Sequence, residues 1–164
     1  MFRQMARGRT RPAVTICSSQ RILRVPRKRI DELVAHVAAA ERTRLAEVDV
    51  AVVGAEEMAA LNRRHLGREG ATDALSFDLS ESPASPLIAQ LVVCADAAVR
   101  EARGRGLPPQ HELMLYVIHG LLHLMGYDDG DARSAARMHA REEELLAAFL
   151  SRRTTRPPRR KASR

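Results

Sequence analysis

The chain has 164 residues, 45% hydrophobic but only 3% aromatic and without Trp, so it is one domain whose core is filled by aliphatic side chains and Met. Its net charge of +7 sits at the ends: residues 1–30 hold nine Lys/Arg, residues 151–164 hold seven, neither stretch contains an acid, and the middle is acidic. No apolar run is long enough to cross a bilayer, the N-terminal stretch does not read as a secretory signal, and two cysteines cannot make a disulfide framework, which together point to a cytoplasmic protein.

The element pattern places a first strand at 13–17 after Pro12, and a helix over 27–40 with Ile30, Leu33, Val34, Val37 and Ala38 at helical spacing. VDVAVV, 48–53, reads as a second strand ending at Gly54, followed by a helix through Met58 and Leu61 and a turn-rich loop, LGREGAT. DALSFDL alternates Leu75, Phe77 and Leu79 with polar partners, as a half-buried strand does. The nearly continuous apolar run LIAQLVVCAD predicts a strand inside the sheet. Cys17 and Cys94 both fall in apolar strand-like runs and read as buried free thiols. Asp96 is placed to cap the next helix, which stops at Gly104 and Gly106. From Gln110 to Met125 the helical pattern is apolar on nearly every face, which predicts a buried helix stopped by Gly126. Asp131 opens a last helix to about Leu150, with Arg133, Arg137 and Arg141 along one side.

The order β-α-β-α-β-β-α-α-α implies an α+β fold: a mixed four-stranded sheet covered by helices, with one helix buried. The chain divides into a basic N-terminal arm, 1–12, a single domain, 13–150, and a basic disordered tail, 151–164. Basic ends favour a polyanion, most often nucleic acid, through counterion release.

His119 and His123 lie four apart on the buried helix, so both imidazoles project from one face within reach of a shared ion. This is a zincin-like HxxxH without the Glu: Gly120 stands where a zincin peptidase carries its general base. Glycine in mid-helix costs about 1 kcal/mol against alanine, which points to a close approach at that position, by a strand or by substrate. A catalytic zinc keeps three protein ligands and one open position. Asp128, Asp129 and Asp131 follow the glycine bend and offer the third. His36, His65, His111 and His139 have no such spacing and read as surface or locally hydrogen-bonded residues.

HGLLHLMGYDD at 119–129 resembles the HGxLHLxGYDH signature of the YbeY family of bacterial ribosomal-RNA maturation endoribonucleases. LNRRHLGREGATDALSFDL at 61–79 is similar to that family's LNxxYRGxxxPTDVLSF block, and the resemblance covers roughly residues 13–150. It implies one zinc held at His119, His123 and Asp129, cleavage of single-stranded RNA, maturation of small-subunit ribosomal RNA, and a part in ribosome quality control. Asp129 replaces the family's third histidine. An anionic ligand lowers the charge of the site and makes manganese or another divalent ion more competitive. The family's Arg falls at Leu66, its Pro at Ala71, and a Gly-Asp pair at Ala89-Gln90. Arg63, Arg64 and Arg68 are the candidates to supply the missing cation to RNA, and by resemblance Thr72, Asp73 and Ser76 line the groove opposite the metal helix. Two rival readings are a non-catalytic ribosome-associated RNA-binding factor with a structural metal, and a two-His-one-carboxylate iron enzyme.

Overall fold

Alternation in the first strand and continuous apolarity in the interior strands build one sheet in the computed structural model, which describes residues 11–70 and 72–152. Four strands, β1 (Ala13–Ser18), β2 (Leu45–Val53), β3 (Ala74–Asp78) and β4 (Leu87–Cys94), lie in the order β1-β2-β4-β3. The β1/β2 and β2/β4 pairs are parallel, and β3 runs antiparallel on the edge, with Ser76 opposite Leu91. The sheet is therefore mixed, and its most apolar strand is interior, as the run LIAQLVVC predicts. β2 begins three residues earlier than the sequence pattern suggests, because Leu45 and Glu47 pair with Leu87 and Ile88 across a register shift.

Among the described residues five helices cover the sheet: α1 (Arg27–Ala40), α2 (Ala55–Leu66), α3 (Ala95–Arg105), α4 (Pro109–Leu124) and α5 (Ala132–Ser151). α4 is the hub. It packs across β3 and β4 and also touches α1, α3 and α5, and Leu113, Met114, Val117, Ile118, Leu121 and Leu122 are wholly buried. Burial on several faces explains why its sequence has no polar stripe.

Two local expectations need correction. Asp96 does not cap its own helix; the α3 N-cap is Cys94. The Asp96 carboxylate instead accepts the Ala55 N–H at 2.6 Å, so it caps the first turn of α2 from a neighbouring element. Cys17 is exposed rather than buried, since β1 is an edge strand that turns Val14 and Ile16 inward and Cys17 outward; Cys94 is buried as expected. The basic arm 1–12 and the tail 151–164 lie almost entirely outside the described residues; of the arm, Arg11 pairs with Asp31 on α1.

Candidate metal centre

The centre is built on the last two turns of α4 and the reversal after them. The helix closes through two backbone bonds, Tyr127 N–H to the Leu122 carbonyl at 3.0 Å and Gly126 N–H to the His123 carbonyl at 3.2 Å. This is the Schellman pattern, which needs a left-handed residue after the cap. Gly126 supplies it at φ 100°. The chain then doubles back past its own final turn.

Three aspartates follow, and the structure gives each a different task. Asp128 accepts the Gly130 N–H within the loop. Asp131 caps α5, accepting from the Ser134 N–H and hydroxyl, as its position predicts. Asp129 is left to face the histidines: its Oδ2 is 3.4 Å from His123 Nε2 and 3.9 Å from His119 Nε2, and the two Nε2 atoms are 3.1 Å apart. Ligands about 2.0–2.1 Å from a tetrahedral ion stand roughly 3.3–3.4 Å from one another. The three donor atoms, all within 4.8 Å of one another, thus frame a gap of ion size. Two neutral imidazoles and one carboxylate are an accepted donor set for zinc, and the same set admits manganese or iron.

Behind His119 stands a residue that the sequence patterning missed. Glu142 of α5 is buried and bonds His119 Nδ1 at 2.6 Å and His139 Nδ1 at 3.2 Å. A carboxylate on Nδ1 fixes the proton there and turns Nε2, as a lone pair, toward the ion position. Burial of His119 disfavours its charged form. The Glu142 hydrogen bond and charge, with Asp73 and Asp129, outweigh burial and hold the imidazole pKa above its ordinary value. A signal for Glu142 was present: Met138, Glu142, Leu145 and Phe149 fall on one helical face, and Glu142 is the only charge in that buried stripe. His139, read from the sequence as a surface or locally hydrogen-bonded residue, is exposed and makes such a local bond to Glu142, which joins it to this network.

Gly120 answers to a close approach by the sheet. A Cβ there would stand 2.9 Å from Leu91 Cδ2 and 3.6 Å from Ser76 Cβ, so β4 and β3 press against the helix between the two histidines. Ser76 is therefore beside the metal helix. Thr72 and Asp73 line a cleft of about 440 Å³ that opens at His119. Arg100 and Arg105 of α3 enter the same cleft, two cations that the sequence motifs did not flag. Arg105 pairs at 3.0 Å with Glu112, whose carboxyl is pushed up by burial against the pull of Arg105. Tyr116 lines the cleft too, and its buried hydroxyl has no hydrogen-bond partner among the described residues. Arg63 and Arg64 end α2 and Arg68 follows it; none of the three lines this cleft, and Arg63 lies 3.9 Å from Glu69 in an exposed pair. Leu66, at the position of the family's arginine, is half exposed.

Comparison with known proteins gives a consistent answer. The family described as Endoribonuclease YbeY matches residues 15–150. A protein of Anaeromyxobacter sp. (strain Fw109-5) named Endoribonuclease YbeY is 45% identical over 104 residues, covering 63% of this chain and 54% of that protein. The match thus spans about half the length of that relative. One of the same name from Salinispora tropica is 33% identical over 146 residues, covering 81% of this chain and 88% of the other. The solution structure of TM1509 from Thermotoga maritima shares the fold, with a TM-score of 0.58 at 22% identity, over 92% of this chain and 99% of that one.

Proposed function

The chain belongs to the YbeY endoribonuclease family, and from that premise we propose that it is a metal-dependent endoribonuclease that cuts single-stranded RNA. Its substrate would be ribosomal RNA of the small subunit, during maturation and in ribosome quality control, in the cytoplasm. Among the described residues no helix is long and apolar enough to cross a membrane. The observation that carries the reading is the convergence of His119, His123 and Asp129 on one ion-sized gap, with Glu142 bracing His119 from behind.

These three residues would hold one divalent ion, zinc by resemblance, with manganese made competitive by the Asp129 carboxylate. When bound, such an ion supplies Lewis acidity toward a phosphoryl oxygen and a lowered pKa for water. The chain's own groups do the rest. Glu142 keeps His119 in the ligating tautomer. Glu143 and His139 line the cleft beside it and are placed to take up or return a proton. Arg100 and Arg105 offer guanidinium groups to a phosphate in the cleft. Arg63, Arg64 and Arg68 would contact the strand further along, and Ser76 would contact it beside the helix.

The test uses labelled single-stranded RNA and the matching duplex with wild type, His123→Ala and Asp129→Ala, together with elemental analysis of each protein. The expected result is cleavage of the single strand by wild type only, with metal lost from both variants. Equal cleavage by all three would sink the proposal. A wild type that binds RNA and holds metal without cutting would leave the RNA-binding factor with a structural ion.

A further inference from the structure

The cleft at the metal centre can place one phosphate on its ion and its two arginines, but its side chains offer little further charge to hold a long polyanion. Its lining carries five carboxylates against two guanidinium groups. Counterion release from an RNA backbone needs cations that are not already neutralised.

Such cations stand at the other end of α4. Residues 21–29 contain five Arg/Lys and no acid. Four of them, Arg24, Arg27, Lys28 and Arg29, line a cleft of about 780 Å³ with Ser18, at the carboxyl end of β1, and Gln110. Three of the four occupy the first turn of α1, which has no acidic residue. The helix dipole favours acids in a first turn and disfavours cations, so this placement costs stability unless an anion is brought there. Arg24, Lys28 and Arg29 make no ion pair among the described residues, and Arg24 and Lys28 are exposed. Arg27 donates to the Ile16 carbonyl and Arg29 lies over the Phe149 ring, contacts that fix the heads without cancelling their charge. Arg29 Nε is buried and has no hydrogen-bond partner among the described residues.

We propose that this basic cleft is a second RNA-binding site that grips backbone phosphates away from the metal centre. It rests on the endoribonuclease reading for the identity of the polyanion. Gln110 donates to the Arg24 carbonyl at 3.4 Å, which ties the cleft to the first turn of α4. The nine residues from Gln110 to His119 set the two sites about 14 Å apart along one helix. The site reads phosphate and not bases, so it adds affinity without sequence preference.

The experiment measures binding of labelled single-stranded RNA to the full chain against salt, with cleavage followed in parallel. Arg24→Gln/Lys28→Gln removes two exposed charges outside the core. Arg133→Gln/Arg137→Gln on exposed positions of α5 lowers net charge equally. The expected result is binding about tenfold weaker for the first pair, a salt slope shallower by about 1.4, and equal loss on RNAs of different sequence. KM should rise with kcat unchanged. Unchanged affinity and slope, or the same loss from the α5 pair, overturns the proposal. His123→Ala separates the two readings: its failure to abolish cleavage counts against the metal mechanism, while the binding slopes judge the basic cleft independently.

Discussion

Gly120→Ala sets helix propensity against packing, and the structure decides the sign. Alanine in mid-helix is favoured by about 1 kcal/mol. The added methyl carbon, however, would stand 2.9 Å from Leu91 Cδ2, whereas carbon atoms rest at about 3.5–4.0 Å. Leu91 is wholly buried and cannot swing into solvent. Relief therefore requires an off-rotamer Leu91 or a shift of α4 away from the sheet, and such overpacking costs about 1–3 kcal/mol. The net expectation is destabilisation of roughly 0–2 kcal/mol. A double-mutant cycle sharpens it. Leu91→Ala alone should cost about 2–5 kcal/mol, and the new methyl at 120 partly fills the space it leaves. The double variant should then be less destabilised than the sum by about 1 kcal/mol or more. Urea unfolding of the four proteins, stripped of metal and reloaded, gives every term. Because residue 120 lies between the histidines, a displaced helix should also weaken metal binding. Stabilisation by Gly120→Ala, or strict additivity with Leu91→Ala, would refute the close approach of β4.

Glu142→Gln keeps a hydrogen-bond acceptor for His119 but removes the charge, and competition with a chelator should show metal affinity lowered about 10–100-fold. Asp96→Ala should cost about 0.5–2 kcal/mol by uncapping α2, read as a lower denaturation midpoint, although residue 96 lies in α3. His36 has its pKa lowered, chiefly by burial, with the charges of Arg152 and Arg141 adding to it and the Leu145 carbonyl opposing. A depressed folded pKa means that its contribution is complete above the ordinary pH 6.5 and fades as pH falls through the lower folded value. The urea midpoint of wild type should therefore drop more between pH 7.5 and 5.5 than that of His36→Gln, and parallel profiles would count against it.

Most of the framework was readable because local periodicity carried it. The element order, the interior position of LIAQLVVC and the burial of α4 all follow from patterns a few residues long. So does the pairing of His119 and His123, which share a helical face; the glycine bend at Gly126 left Asp128, Asp129 and Asp131 all eligible, and only the resemblance singled out Asp129. The misses are contacts between distant segments. Glu142 meets His119 across 23 positions, and Asp96 caps a helix 41 positions back. Arg100 and Arg105 reach the cleft because α3 packs against α4, a pairing that periodicity does not specify. Cys17 misled for a different reason: an apolar neighbourhood identifies a strand but does not say which side of an edge strand is covered.

The turn that carries Asp129 is fastened by protein alone at both ends. Tyr127 donates to Glu41 at 3.0 Å, Arg141 grips the same carboxylate at 2.6 Å, and Asp131 is locked onto α5. A receptacle held this way would be shaped before an ion arrives, and losing the ion would not require the domain to melt. Occupancy would then be a matter of exchange with the surrounding pool, and the identity of the guest would follow supply as much as intrinsic preference.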